Sequence, residues 1–230
     1  MRRLMLTLFF ILCPVLASAE LEIFACEPEW AALADEIGGD LVKSYSATTA
    51  LQDPHYIQAR PSLIAKVRNA DLVICSGAQL EIGWLPALLQ KANNRKVLPG
   101  NDGYMEASSF VSRVGATADL DRAKGDIHPQ GNPHIQTDPH NISTVARALS
   151  DRLSRIDSVN STSYDKNLEQ FVTKWEQAVS RWEDLAEPLR GKRAITHHKS
   201  WVYLLRWLGI EEVEHLEAIP GLPPTATQRA

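Results

Sequence analysis

Asp71-Leu72-Val73-Ile74-Cys75, closed by Gly77, is the stretch that decides the fold. A short apolar run without polar alternation reads as a strand buried on both faces. Segments of helical period flank it. Pro61 suits a first helical position and opens a helix through Asn69, and Leu80 to Ala92 reads as another helix. The same alternation holds upstream. Leu21 to Cys26 reads as a strand. Pro28 to Ile37 reads as a helix with Trp30, Leu33, Ala34 and Ile37 on one face, stopped by Gly38-Gly39. Leu41 to Tyr45 reads as a second short strand, and Lys96-Val97-Leu98 as a fourth before Pro99-Gly100. Strands alternating with helices make a parallel sheet, because parallel neighbours need a crossover. In such sheets ligands bind beyond the carboxyl ends of the strands.

Residues 99–137 are polar and loop-rich, and a loop of that length in a compact domain is usually functional. Asp138 then suits an N-cap and Pro139 the first position of a helix to about Ile156, with Ile142, Val145, Ala146, Leu149 and Leu153 as its buried stripe. Tyr164 to Leu189 is the longest periodic segment. At about 1.5 Å per residue it spans roughly 38 Å, which suits a strut between two lobes; a coiled-coil seam would need more heptads. Arg193 to Thr196 reads as a strand, Ser200 to Leu208 as a helix and Glu212 to Leu216 as a strand. Pro220-Gly221-Leu222-Pro223-Pro224 is turn-rich and leads to a capping-type Thr225. The residues after 190 are too few to bury a core of their own.

The amino terminus is an export signal in pattern. Arg2 and Arg3 precede an apolar run from Leu4 to Leu16, and Ala17-Ser18-Ala19 is a small-residue cleavage site. The run is shorter than the roughly 20 residues a membrane-spanning helix needs. Phe10-Ile11-Leu12 before Cys13 lacks the small residues of a lipid-attachment site, so the reading is a cleaved signal over residues 1–19 and an exported chain without a lipid anchor. Loss of the two arginines takes the formal net charge from −4 to −6, a poor match for nucleic acid. Cys26 and Cys75 both fall at strand ends in an oxidising compartment. A disulfide is open to them, and two buried free thiols is the preferred expectation.

Three histidine contexts stand out: Asp53-Pro54-His55, Asn132-Pro133-His134 and Thr196-His197-His198-Lys199-Ser200-Trp201. Each falls where a strand or loop gives way to a helix. Imidazole is the commonest metal ligand, and three at converging loop ends would make most of a four-coordinate zinc shell. At His197-His198 side chains alternate in direction, so only one faces the cleft. His128 and His140 lie near His134 and are open to transient metal contacts, with solvated loop residues the preferred reading, and His215 reads as a structural or surface residue. Trp175, Trp182, Trp201 and Trp207 fall at helical spacings and read as packing residues.

These stretches together resemble the periplasmic metal-binding proteins of zinc and manganese ABC importers. The resemblance rests on Asp53-Pro54-His55, on Ala70-Asp71-Leu72-Val73 followed by Gly77 and Leu80-Glu81, and on Asn132-Pro133-His134 with Asp138-Pro139. Tyr164 with Asn167, His198-Lys199-Ser200-Trp201-Val202-Tyr203 and Glu217 to Pro224 complete it. It runs from about residue 21 to the end of the sequence. It implies an α/β fold of two Rossmann-like lobes with parallel sheets joined by one long rigid helix. The corresponding parts are an N-terminal lobe at 20–160, a linker helix at 161–190 and a partial C-terminal lobe at 191–230, the second lobe being incomplete. It implies His55, His134 and His198 as metal ligands, His198 rather than His197 because Lys199-Ser200-Trp201 follows it, and a fourth, carboxylate ligand from late in the second lobe, beyond Ala230. It implies a non-enzymatic, monomeric component of an ABC importer in the periplasm that hands its ion to a membrane permease.

Three nitrogen ligands favour Zn2+ over Mn2+, which prefers oxygen-rich shells. Manganese-type sites of the resembled family replace the third histidine with a carboxylate, so His198 points the same way. A three-histidine zinc with an open position is also the layout of a catalytic zinc, which makes a zinc-dependent hydrolase the alternative. No His-Glu-x-x-His pair accompanies it. A metal-binding surface adhesin is a third function attached to relatives, with nothing separate in the sequence to favour it.

Overall fold

The computed structural model describes residues 20–116 and 128–217; the signal segment and the Pro220 to Thr225 stretch lie outside the described residues. Strand β1 (Leu21–Ala25), helix α1 (Pro28–Gly38), β2 (Val42–Ser46), α2 (Pro61–Asn69), β3 (Leu72–Cys75), α3 (Leu85–Ala92) and β4 (Tyr104–Glu106) follow in order. The strands form one parallel sheet in the order β2-β1-β3-β4. All four residues of β3 are buried because helices cover both faces of the sheet. Alternation sorts the side chains. Ile23, Ala25, Leu72 and Ile74 join Trp30, Leu33 and Ile37 in one core. Phe24, Cys26, Val73 and Cys75 join Leu63, Val67 and Leu88 of α2 and α3 in the other.

Helices α4 (Pro139–Ile156) and α5 (Ser161–Ala186) pack with α1 on the first of these faces. The expected cap of α4 is present: Asp138 accepts from the His140 amide at 2.9 Å. The expected stripe of α4 is buried. At 26 residues α5 is about 39 Å long. Its first half is fixed to the sheet domain, with Asn167 Nδ2 donating to the Ile37 carbonyl and Trp175 Nε1 to the Pro139 carbonyl. Near its far end Leu185 is 78% exposed, while Glu183 Oε1 accepts from Trp207 Nε1 at 3.0 Å. Beyond it β5 (Arg193–Thr196), α6 (Val202–Leu208) and β6 (Glu211–His215) make a second, two-stranded parallel sheet with its crossover helix.

Three expectations are overturned. Lys96-Val97-Leu98 is not a strand: Arg95–Val97 is a 3-10 turn, and the fourth strand is Tyr104–Glu106. The cause is Asn94, whose side chain accepts from the Lys96 amide and donates to the Val67 and Ala70 carbonyls, winding the chain into a capped turn. The segment read as a helix from Leu80 becomes helical only at Leu85. Ala78 and Gln79 hold positive φ angles of 49° and 71°, which no helix admits. Cys26 and Cys75 are joined as a disulfide, not free thiols. They end neighbouring parallel strands with their side chains on the same face, so the sheet itself brings them together.

The disulfide borders a buried acidic pair. Glu27 Oε2 accepts from the Ser76 amide and hydroxyl at 3.1 and 3.0 Å, and the Ser76 hydroxyl accepts from Trp30 Nε1 at 2.9 Å. Glu81 accepts from the Gly77 amide. Gly77 has a φ of +75°, and a Cβ there would lie 2.7 Å from Glu106 Cβ, so only glycine fits. Burial, with the charge of Glu81, raises Glu27 well above the ordinary carboxylate value, and burial pushes Glu81 up to about 7. Near neutrality the pair therefore keeps a proton between its two carboxyls. A raised folded pKa contributes stability that is complete below the unfolded value of 4.5 and is lost as pH climbs through about 7. Urea unfolding of the parent is expected to show less stability at about pH 8 than at about pH 6, and Glu81→Gln to flatten that slope. An identical slope in the two chains would show that the pair does not titrate there.

Candidate metal centre

The loops that follow β2 and β5 and the turn that opens α4 meet at one place. His55 lies in the first, His198 directly after β5, and His134 just ahead of the 3-10 turn Ile135–Thr137 and α4. The three rings form a near-equilateral triangle with centroid separations of 6.0, 6.1 and 5.7 Å. One ligand nitrogen from each lies within 4.8 Å of the others. His197 is not among them; its side chain is 62% exposed and sits 3.4 Å from Glu217 Oε1.

A local device repeated along the chain sets two of the rings. In Asp53-Pro54-His55 the Asp53 carboxylate accepts from the His55 amide at 3.0 Å, and in Asn132-Pro133-His134 the Asn132 amide oxygen accepts from the His134 amide at 2.9 Å. Asp138-Pro139-His140 does the same at the start of α4. Short polar side chains bonding to the backbone two residues on, with proline fixing φ between, make a stiff turn. The Trp84 indole donates to the Pro54 carbonyl at 2.8 Å and pins the His55 turn to the sheet domain. Asn132 reaches the other way: its Nδ2 donates to the Lys199 carbonyl at 2.7 Å, its carbonyl accepts from Tyr203 Oη at 2.8 Å, and Tyr203 Oη accepts from the Val114 amide at 3.0 Å. The turn carrying His134 is thus bolted to the segment carrying His198.

Carboxylates orient two of the rings. His55 Nδ1 lies 2.7 Å from Asp53 Oδ1, and His198 Nδ1 lies 2.7 Å from Glu217 Oε2. A neutral imidazole donating from Nδ1 presents the lone pair of Nε2. A carboxylate behind the ring fixes its tautomer and raises its basicity toward a metal. Burial alone would raise Asp53. The hydrogen bonds from the His55 amide and ring, with the nearby His55 and His198 charges, outweigh it and hold Asp53 below its ordinary value. His134 is the deepest ring, 7% exposed, and its Nε2 is buried without a hydrogen-bond partner. Desolvation, then the charges of His55, His198 and His128, lower its pKa to about 3, so it stays neutral and able to donate its lone pair far into acid. An orphaned buried nitrogen beside two converging imidazoles fits a cation-binding group.

Asp53 had a local signal, two residues ahead of His55 inside the motif itself. Glu217 had none, being 19 residues from His198 along the chain. His128 departs from expectation: it is half-buried, with Nε2 3.2 Å from His55 Nε2. His140 is exposed, beside Asp138 and Glu183, and takes no part in the triangle.

The chain is 28% identical over 160 residues to the metal ABC transporter substrate-binding lipoprotein ScbA of Streptococcus cristatus, covering 68% of this chain and 48% of that one. It is 26% identical over 200 residues to the iron ABC transporter substrate-binding lipoprotein MtsA of Streptococcus pyogenes serotype M1, covering 84% and 61%. It thus spans about half to three-fifths of the length of these curated relatives. A crystal structure of ZnuA superposes with a TM-score of 0.73 at 24% identity, covering 91% of this chain and 75% of that one. Zn(II)-bound AdcA from Streptococcus pneumoniae gives 0.71 at 19%, covering 91% and 42%. Both likenesses place the chain in the same α/β fold. The profile of the family described as zinc-uptake complex component A, periplasmic (ZnuA), matches residues 23–230, and the chain belongs to that family.

Proposed function

We propose that this chain captures Zn2+ outside the cytoplasm through His55, His134 and His198 and delivers it, as a monomer, to the membrane permease of an ABC importer. The observation that carries the proposal is the convergence of three imidazoles, two of them backed by carboxylates on Nδ1. Nitrogen donors suit a borderline ion such as zinc, whereas manganese seeks oxygen. Asp53 and Glu217 turn their oxygens to imidazole nitrogens, which keeps those oxygens from serving a hard ion. The same commitment disfavours a hydrolase, which would need a carboxylate or imidazole free to act as general base on bound water. Names of relatives span metals, iron for MtsA and manganese for ScaA of Streptococcus gordonii, so zinc is this chain's own assignment.

Export by residues 1–19 belongs to the proposal, as does the division into a lobe at 20–160, a linker helix at 161–190 and a partial lobe at 191–230. Separate four- and two-stranded sheets on either side of α5 support that division. The curated relatives are named lipoproteins, so the expectation that Cys13 carries no lipid gains no support from them.

The test is a zinc titration of residues 20–230 against a competing chelator, with manganese in parallel. Zinc is expected to bind at one equivalent and manganese far more weakly. His198→Ala should weaken zinc sharply, and His197→Ala should leave it near the parent. The reverse order for the two histidines, or tighter manganese than zinc, would sink the proposal.

A further inference from the structure

We propose that Cys26, Cys75 and Glu81 form a second metal site, shut while the two cysteines are joined and open to a thiophilic divalent cation such as Zn2+ once a dithiol has reduced them. It shares no residue with the three histidines and does not depend on what they bind.

The two sulfurs and a Glu81 carboxylate oxygen lie within 4.8 Å of one another, and all three side chains are buried. Separate parts of the fold deliver them. Cys26 and Cys75 end neighbouring parallel strands, with their Cα atoms 4.8 Å apart. Glu81 is turned back toward Cys75 by Gly77, Ala78 and Gln79, three successive residues with φ of +75°, +49° and +71°. Ala78 and Gln79 hold a conformation rare for residues with a side chain, and such strain gathers where a site needs it. Burying a carboxyl is unfavourable as well. A disulfide kept only as a staple needs neither. Two thiolates and a carboxylate are a zinc donor set, with sulfur at about 2.3 Å and oxygen at about 2.0–2.2 Å. Manganese and calcium, which seek oxygen-rich shells, are poorly matched to the sulfurs.

The disulfide is the gate. One sulfur of the dithiol attacks the Cys26–Cys75 bond to give a mixed disulfide, and its second sulfur expels the remaining cysteine. The dithiol leaves as a cyclic disulfide, and its two hydrogens pass to Cys26 and Cys75. The cation then replaces both thiol hydrogens, which go to solvent, and the proton shared by the buried carboxyls stays on Glu27. Two thiolates balance the two charges of the ion, so the buried group keeps the net charge it had before. Two sulfurs on one tetrahedral zinc stand about 3.8 Å apart, which side-chain rotation provides while the strands keep their ladder spacing.

The test uses residues 20–230 carrying His55→Ala, His134→Ala and His198→Ala, which silences the histidine site. It is compared in its oxidised form and after treatment with a dithiol that is then removed without air. Two free thiols per chain and a far-UV circular dichroism spectrum like that of the oxidised form are expected. The reduced chain should bind one equivalent of Zn2+, melt at a higher temperature with it, and show thiolate-to-metal charge-transfer absorption with Co2+. The oxidised chain should do none of these. Adding Glu81→Gln should weaken zinc at the reduced site at least about 10-fold, since losing a ligand costs at least what losing a ligand's supporting partner does. A reduced, folded chain that takes no zinc and shows no charge-transfer band would overturn the inference. So would a reduced chain that stays unfolded with zinc present, or equal zinc affinity with Glu81→Gln. None of these results bears on the three histidines, which the oxidised parent tests alone.

Discussion

Zinc is expected to bind the His134→Ala chain roughly 100- to 1,000-fold more weakly than the parent. Structural zinc sites are worth about 10–16 kcal/mol over four ligands, so one ligand carries about 2.5–4 kcal/mol, and each 1.4 kcal/mol is tenfold. His134 should stand toward the upper part of that range. It is the most buried of the three rings, and its Nε2 has no hydrogen-bond partner to give up when the ion arrives. His55 and His198 must each keep a carboxylate partner aligned while they bind, but His134 is held by its surroundings alone. Competition with a chromogenic chelator near pH 7 reads the difference. An affinity equal to the parent's would remove His134 from the site.

The second large effect concerns the sheet. Replacing both cysteines by alanine, as Cys26→Ala with Cys75→Ala, is expected to cost about 4 kcal/mol of folding stability. The disulfide closes a loop of 49 residues, and the entropy of closing such a loop in the unfolded chain is of that size. For a chain of this length the melting temperature should fall by on the order of 10 °C. The loop contains β2 and α2 together with the His55 turn, so a loosened sheet also loosens one ligand. Urea unfolding of the parent and the double variant, both metal-free, measures it. A difference near zero would show that the hydrophobic cores alone hold the two strand ends together.

Much of the fold was written in local pattern. Leu72-Val73-Ile74-Cys75 is buried throughout, as its unbroken apolar run requires, and α2 and α4 begin at the prolines that announce them. Failures came where a side chain overrode the pattern. Asn94 bends the chain at Lys96-Val97-Leu98 into a turn by bonding three backbone groups. Tyr104-Met105-Glu106 hides as a strand because only Met105 is fully buried there. The disulfide could not be settled from strand ends alone, since pairing depends on which strands are neighbours. In the site, Asx-Pro-His triplets flag His55 and His134 because the turn chemistry is local. Glu217 behind His198, and His128 against His55, come together only through the tertiary fold, and no spacing along the chain announces either.

The bolt between Asn132, Lys199 and Tyr203 bears on the timing of cargo exchange. A cage whose walls are fastened together before the ion enters has little rearranging to do on arrival, so capture proceeds at a rate set by encounter and by the ion's loss of water. The same fastening leaves no easy swing by which the two loops part, and tight binding then shows itself as a long residence time. An ion held this way leaves on a useful timescale only when something outside the chain pries the two segments apart. In the proposed importer that task falls to the permease, whose docking face would act as the key to a lock made from two hydrogen bonds.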